Sequence, residues 1–127
     1  MWCRGIRGAT TAEANTKEAI VGTAKELLQN MIESNGIETD DVACAIFTTT
    51  EDLTAEFPAL AARQLGWDDV ALLCGHEMNV PDGLPMCIRI LLMVNTEKSA
   101  DEIVHVYIKG AKNLRPEGSK KMNQPMG

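Results

Sequence analysis

Cys87-Ile-Arg-Ile-Leu-Leu-Met-Val94 is a run of apolar, strand-forming residues that is interrupted by one charge, Arg89. A guanidinium does not lose its charge in a protein, and an unpaired charge inside a sheet costs more than a strand tolerates. The run therefore predicts a buried strand whose arginine meets an anion. That anion is either a carboxylate of the protein or a ligand.

The arginines as a group follow the same pattern. Four of the five lie within or at the end of strand-like apolar segments, whereas the seven lysines fall mainly on helix faces and in the C-terminal residues. The five are Arg4, Arg7, Arg63, Arg89 and Arg115. Because arginine binds a planar carboxylate through two parallel hydrogen bonds and lysine does not, this distribution indicates a site for a carboxylate-bearing ligand.

Length and charge limit the class of protein. The 127 residues are expected to form one domain, residues 1–115, followed by a mobile polar tail, residues 116–127. The net charge of −6 makes nucleic acids and anionic membranes poor partners. No apolar stretch is long enough for a signal peptide or a membrane span. The four cysteines show no paired spacing, so we expect reduced, buried thiols in a cytoplasmic protein.

Apolar segments along the chain predict five strands and two helices. The strands are expected at 2–9, 42–49, 69–75, 86–96 and 103–109, the last after a single helical turn. A long amphipathic helix is expected at 16–34, with Asn15 as its N-cap and Asn35-Gly36 at its end. A short helix is expected at 57–66. The pattern favours an α+β (α/β) fold, a mixed five-stranded sheet with both helices on one face.

Alternation along the first strand separates its side chains into two sets. Gly5 and Arg7 share one face, while Ile6 and Gly8 share the other. Glycines beside arginines in a strand indicate that another backbone or a ligand comes close.

The candidate site combines the strand arginines with polar residues at strand ends. Glu77 follows the third strand, and Tyr107, the single tyrosine, lies with His105 and Lys109 on the polar face of the fifth. The set is Arg7, Glu77, Arg89, Tyr107 and Arg115, with Phe57 and Arg63 as outlying members. A purely structural Arg89–Glu77 ion pair is the alternative, although it leaves the remaining arginines unmatched.

Other chemistry is less well supported by the sequence. His76 and His105 could ligate a metal with Glu77, but their spacing matches no metal-binding pattern. Cys74 could be a nucleophile, yet no general base is evident nearby, and a packing role fits it better. We therefore expect neither a metal nor an organic cofactor.

Five segments in order along the chain resemble the monofunctional AroH-class chorismate mutases. They are Arg4-Gly-Ile-Arg-Gly-Ala-Thr-Thr11, Phe57-Pro-Ala59 with Arg63, Cys74-x-x-Glu77-Met, Cys87-Ile-Arg89, and His105-Val-Tyr107 with Leu114-Arg-Pro116. The resemblance covers nearly the whole chain. It implies a homotrimer with a barrel-like core, active sites between subunits, and the rearrangement of chorismate to prephenate without a cofactor.

The resemblance also implies residue roles. Arg89 would donate to the ether oxygen of the breaking bond, and Glu77 would hold the ring hydroxyl. The substrate carboxylates would be bound by Arg7, Tyr107 and Arg115, with Arg63 near the mouth. A wall from the neighbouring subunit would consist of Phe57, Ala59, Leu73 and Cys74, and Leu114 would help close the site. Leu60, His76 and Pro85 depart from the family pattern at the rim.

Two other functions fit the arginines. An imine or enamine deaminase of the Rid type is also a small trimer with an arginine that anchors a carboxylate. A non-catalytic trimeric sensor of a carboxylate metabolite would use the same cations for binding alone. Turnover of chorismate separates the mutase from both.

Overall fold

The structure, a computed structural model, describes residues 1–114. The predicted tail at 116–127 and the candidate residue Arg115 lie outside the described residues. Within residues 1–114 no helix is long and apolar enough to cross a membrane.

Residues 1–114 form a single mixed sheet of five strands. The strands are β1 (Trp2–Thr11), β2 (Val42–Thr49), β3 (Ala71–His76), β4 (Cys87–Thr96) and β5 (Val106–Tyr107), in the order β3-β2-β4-β1-β5. The central strand β4 runs antiparallel to β1 and β2, whereas β3 is parallel to β2 and β5 is parallel to β1. The predicted mixed five-stranded sheet is confirmed, and the run that contains Arg89 is its central strand.

Two α-helices connect the strands. Helix α1 (Lys17–Asn35) ends at Gly36, whose φ of 60° is the left-handed conformation that glycine adopts without strain. The predicted N-cap, Asn15, is wrong, because Thr16 caps α1 by accepting the backbone N–H of Ala19. Asn15 instead accepts backbone N–H groups of the loop before α2 (Leu60–Gln64).

Both helices cover the same face of the sheet. Apolar side chains of α1, α2 and alternate strand positions form the core there, among them Ile6, Leu27, Phe47, Ala62 and Ile90. The close approach predicted at the first strand is made by this helix. A Cβ on Gly8 would lie 2.4 Å from Met31 Sδ, so glycine lets α1 pack tightly against β1.

The opposite face of the sheet has no helix over it within residues 1–114, and we call it the open face. Strand registers place adjacent side chains there in two rows, Leu73–Ile46–Leu91–Arg7 and Gly75–Thr48–Arg89–Ala9–Tyr107. The open face therefore combines aliphatic side chains with the two arginines and the tyrosine.

Three expectations about local structure are corrected. The fifth strand is only two residues long, because Asn35 takes the backbone N–H and C=O of Val104 through its side chain. Lys109 lies after this strand in a turn with φ of 54° and pairs with Glu26 at 3.4 Å. All four cysteines are free, but only Cys87 is buried, and Cys3 is exposed where β1 begins.

Candidate active site

A cavity of about 290 Å³ lies on the open face of the sheet. We call it the cationic cavity. Side chains that line it come from four strands and from the residue after β3, and they include Arg7, Ile46, Thr48, Glu77, Arg89, Leu91 and Tyr107. The structure thus brings together Arg7, Glu77, Arg89 and Tyr107, four of the residues singled out from the sequence.

Arg89 lies at the middle of this cavity, next to Thr48 of β2 and Ala9 of β1 in register. Its side chain is 42 % exposed, so the expectation of a buried arginine is wrong for residues 1–114. Nε itself is buried, which means that the exposed area belongs to the rest of the side chain. Nε is 3.5 Å from Glu77 Oε2 and makes no hydrogen bond within residues 1–114.

The Arg89–Glu77 ion pair considered from the sequence therefore exists, but it is loose. Its two side chains are 42 % and 28 % exposed, and an ion pair in that environment is worth little by itself. Glu77 lies only on the Nε side of the guanidinium, at a distance that makes no hydrogen bond. The rest of Arg89 and all of Arg7 remain as cationic lining of the cavity.

Backbone contacts hold Glu77 and Arg7 in place. The backbone N–H of Glu77 donates to Thr49 O at 2.8 Å, which ties the residue after β3 to the end of β2. The backbone N–H of Arg7 donates to Nδ1 of His105 at 3.0 Å, just where β5 begins to pair with β1. This pairing sets Tyr107 beside Ala9, so both ends of the cavity are fixed by secondary structure.

Thr48 is a cavity residue that sequence reasoning missed. Its hydroxyl donates to Glu77 Oε2, and it occupies the position between Arg89 and Gly75 on the open face. The signal in the sequence was alternation along β2, which puts Thr48 on the face opposite Phe47. Recognising it also requires the register of β2 against β4, which the sequence does not reveal.

A second, larger cavity of about 420 Å³ lies near the edge strand β3 and shares no lining residue with the first. We call it the edge cavity. Its lining includes Phe57, Pro58, Cys74 and His76. Phe57 is 66 % exposed, and Nδ1 of His76 is 3.1 Å from Thr49 Oγ1. Of the expected wall residues, the edge cavity thus gathers Phe57 and Cys74.

The other predicted site residues lie outside both cavities. Leu73 is exposed on the open face, and Ala59 is buried in the core at the start of α2. Arg63 is exposed on α2. Leu114 ends the described chain, its N–H donating to Ala111 O at 3.0 Å. One chain therefore does not unite all the residues that the sequence suggested.

The thiols near the two cavities are poor nucleophiles. Burial raises the pKa of Cys74, although the Ala59 backbone and Arg63 oppose this. Burial also raises the pKa of Cys87, against the opposing effect of Arg89. A thiol with a raised pKa is protonated at neutral pH and inert. Residues 1–114 contain no cluster of three or more His, Cys, Asp or Glu side chains that could hold a metal ion.

A hydrogen-bonded loop fixes the start of β4. Asp52 Oδ2 accepts the backbone N–H of Met86 at 2.9 Å, and Thr50 Oγ1 accepts the backbone N–H of Cys87 at 3.0 Å. The hydrogen bond from the Thr50 hydroxyl lowers the pKa of Asp52 against the opposing effect of burial, and the Met86 bond adds to the lowering. These bonds define where Arg89, two residues further on, enters the cavity.

The fold and the cationic cavity define a small α+β protein whose open sheet face carries a cavity lined by two arginines, a glutamate and a tyrosine. The model of the family described as "Chorismate mutase type I" matches residues 3–118. The chain is 50 % identical over 115 residues to the Thermus thermophilus protein named chorismate mutase AroH, covering 90 % of this chain and 94 % of that one. It is 45 % identical over 118 residues to the Bacillus subtilis protein of the same name, covering 92 % and 93 %.

A solved structure titled as a chorismate mutase from Clostridium thermocellum superimposes with a TM-score of 0.85 at 50 % identity, covering 89 % of this chain and 99 % of that chain. The chain belongs to the type I chorismate mutase family, a family of isomerases. The resemblance noted in the sequence is confirmed. These comparisons do not support the alternative functions of an imine deaminase or a non-catalytic sensor.

Proposed function

We propose that the chain converts chorismate to prephenate, a step in phenylalanine and tyrosine synthesis, and that the reaction takes place in the cationic cavity. The observation that carries this proposal is the convergence of Arg7, Glu77, Arg89 and Tyr107 on one cavity. Chorismate has two carboxylates, a ring hydroxyl and an ether oxygen. Two guanidinium groups, a carboxylate acceptor and a phenol complement those groups.

The rearrangement is intramolecular. One carbon–oxygen bond breaks while one carbon–carbon bond forms, so no nucleophile, proton transfer or cofactor is needed. The protein must instead hold a flexible substrate in its folded, reactive conformer, which is a problem of positioning. Side chains on β1, β4 and β5 suit this task because hydrogen-bonded strands hold them rigidly.

Arg89 supplies the electrostatic contribution. Negative charge grows on the ether oxygen as its bond to carbon lengthens, and a fixed cation binds that charge more strongly in the transition state than in the substrate. Glu77 occupies the Nε side of Arg89. The exposed remainder of the guanidinium is then the part that donates to the ether oxygen.

The remaining assignments follow the family resemblance. Glu77 accepts the ring hydroxyl, while Arg7, Tyr107 and Arg115 bind the substrate carboxylates. Arg63 lies near the mouth, and Leu114 contributes to closure. Arg115 is the residue that follows the described chain.

We further propose that the active enzyme is a cytoplasmic homotrimer whose sheets form a barrel-like core. The cationic cavity of about 290 Å³ is at the lower limit of the 300–1,000 Å³ common for small-molecule sites. The uncovered aliphatic side chains of the open face, Ile46, Leu73 and Leu91, favour burial against a second copy. A neighbouring subunit's edge cavity, with Phe57 and Cys74, would supply the missing wall.

The decisive experiment is to follow chorismate absorbance with purified protein and to identify prephenate by its acid conversion to phenylpyruvate. Removing one preorganised donor costs about 10²–10³ in rate, and we expect Arg89→Ala to lose at least that much in kcat. The oligomer should be unaffected, as measured by its mass in solution.

Arg4→Ala is the matched control. Arg4 lies on the other face of β1, where its Nε donates to Lys98 O at 3.0 Å, so it should retain wild-type kcat. Near-normal turnover in Arg89→Ala would contradict the mechanism. Absence of chorismate turnover by the folded wild-type protein would contradict the function.

A further inference from the structure

Thr48 occupies a central position on the open face. In β2 it pairs with Arg89 of β4 on one side and with Gly75 of β3 on the other. Gly75 presents no side chain there, and a Cβ at that position would have no atom within 4 Å. No side chain at Gly75 therefore stands between Thr48 and Glu77, whose Oε2 accepts the Thr48 hydroxyl.

Two successive residues of β2 hold Glu77. Thr49 O accepts its backbone N–H at 2.8 Å, and the Thr48 hydroxyl donates to its carboxylate at Oε2. The first contact fixes where Glu77 leaves the sheet. The second fixes how its carboxylate is turned.

The ion pair with Arg89 does not fix that orientation. Arg89 Nε is 3.5 Å from the same Oε2 and makes no hydrogen bond among residues 1–114. The last torsion of a glutamate side chain is broad and roughly two-fold, so a carboxylate without a directional donor rotates freely. Among the described residues, the Thr48 hydroxyl is that donor.

We propose that Thr48 is a positioning residue for the reaction proposed above, on which this inference rests. Its hydroxyl holds Glu77 Oε2, which leaves Oε1 to accept the ring hydroxyl of the substrate. It also keeps the carboxylate from turning into a two-point pair with Arg89. Such a pair would neutralise the guanidinium that the ether oxygen needs.

The test compares Thr48→Val, which removes the hydroxyl at nearly constant shape, with Thr48→Ser, which keeps it. A hydrogen bond to a charged group is worth about a 10- to 100-fold change, and we expect a loss of that size in the kcat of Thr48→Val. The change in KM should be about threefold or less, because Arg7 and Tyr107 still bind the carboxylates. Thr48→Ser should stay within about threefold of wild type in both constants.

A double-mutant cycle separates positioning from simple destabilisation. In a Glu77→Ala background there is no carboxylate to orient, so adding Thr48→Val should change kcat no further. Thr10→Val is the matched control, because Thr10 is a buried threonine of β1 whose hydroxyl has no partner within residues 1–114. It should retain wild-type kcat.

Three results would overturn the inference while wild-type turnover stands: unchanged kcat in Thr48→Val, an equal loss in Thr48→Ser, or a Thr48→Val loss that persists in full without Glu77. An inactive wild-type protein would instead refute the proposed function. The two failures are therefore distinguishable in one set of assays.

Discussion

At the scale of single residues, threonines on the two faces of the sheet differ in their hydrogen-bond partners. On the open face, Thr48 donates a hydrogen bond to Glu77, and both residues line the cationic cavity. On the helix face Thr10 and Thr49 are both buried, and there the hydroxyl has to find a partner inside the core. Thr49 Oγ1 donates to Leu53 O at 3.3 Å, whereas Thr10 Oγ1 has no partner within residues 1–114.

This difference predicts opposite effects of one substitution. A buried unsatisfied polar group costs about 1–3 kcal/mol, so Thr10→Val should raise the free energy of unfolding by about 1 kcal/mol. Thr49→Val removes a bonded hydroxyl and should lower stability by a similar amount. Thermal unfolding at fixed protein concentration measures both, and a destabilised Thr10→Val would show that its hydroxyl is satisfied.

At the scale of elements, sequence patterns predict that a strand is present more accurately than they predict where it begins and ends. The sequence predicts both end points of β2 correctly, at 42–49, because a continuous apolar run is typical of an internal strand. The fifth strand was predicted over 103–109, yet only Val106–Tyr107 pair. Alternation could not show that a distant side chain, Asn35, captures the backbone of Val104.

The residues of the candidate site could also be predicted only in part. Charged residues in apolar strands, such as Arg89, are conspicuous in the sequence because they contradict burial. Thr48 was missed because threonine is an ordinary strand residue, and only the register places it beside Glu77. The exposure of Arg89 was misjudged because alternation alone does not show which of the two faces the helices cover.

The Asn35 side chain at the end of α1, with its hydrogen bonds to the backbone of Val104, forms what we call the Asn35 clamp, and its removal is expected to affect both stability and KM. Its side chain donates to Met31 O and Val104 O, both at 2.9 Å, and accepts the Val104 N–H at 2.8 Å. Asn35→Leu leaves the partly buried N–H and C=O of Val104 unpaired and should cost about 1–2 kcal/mol of stability. Since the clamp precedes β5, KM should also rise as Tyr107 loosens.

Urea unfolding and steady-state kinetics check these expectations. Asn30→Leu, on the same helix, is the control and should leave stability and KM nearly unchanged. A stable Asn35→Leu protein with wild-type KM would show that β5 is held by its strand pairing and the His105 contact instead.

At the scale of the whole molecule, residues 1–114 form a sheet with one face covered by helices. Helices α1 and α2 bury the core side, and the open face joins aliphatic side chains to the cationic cavity. The edge cavity and the cationic cavity share no residue. In the proposed trimer, each chain would contribute its cationic cavity to one active site and its edge cavity to another.

Leu73→Glu tests this assembly. Leu73 is 64 % exposed in the single chain, so a charge there should disturb the subunit fold little. Buried at an interface, the same charge would be strongly unfavourable. We expect a mass near that of one 13.8 kDa chain by light scattering, where wild type should give three times that value, together with loss of turnover.

Val104→Glu is the control, because Val104 is an exposed apolar residue next to the end of α1. It should retain the wild-type mass. A Leu73→Glu protein that keeps both wild-type mass and turnover would place the subunit contact elsewhere.

The parallel pairing of β1 with β5 has a consequence for how the protein folds. The contact between Arg7 and His105 spans 98 positions of the chain, and such long-range contacts form slowly because a large loop must close first. The antiparallel pairing of β1 with β4 is almost as distant, since its partners lie between 76 (Thr11 to Cys87) and 94 (Trp2 to Thr96) positions apart. The core and the cationic cavity therefore depend on the same late event, the return of the C-terminal strands to β1.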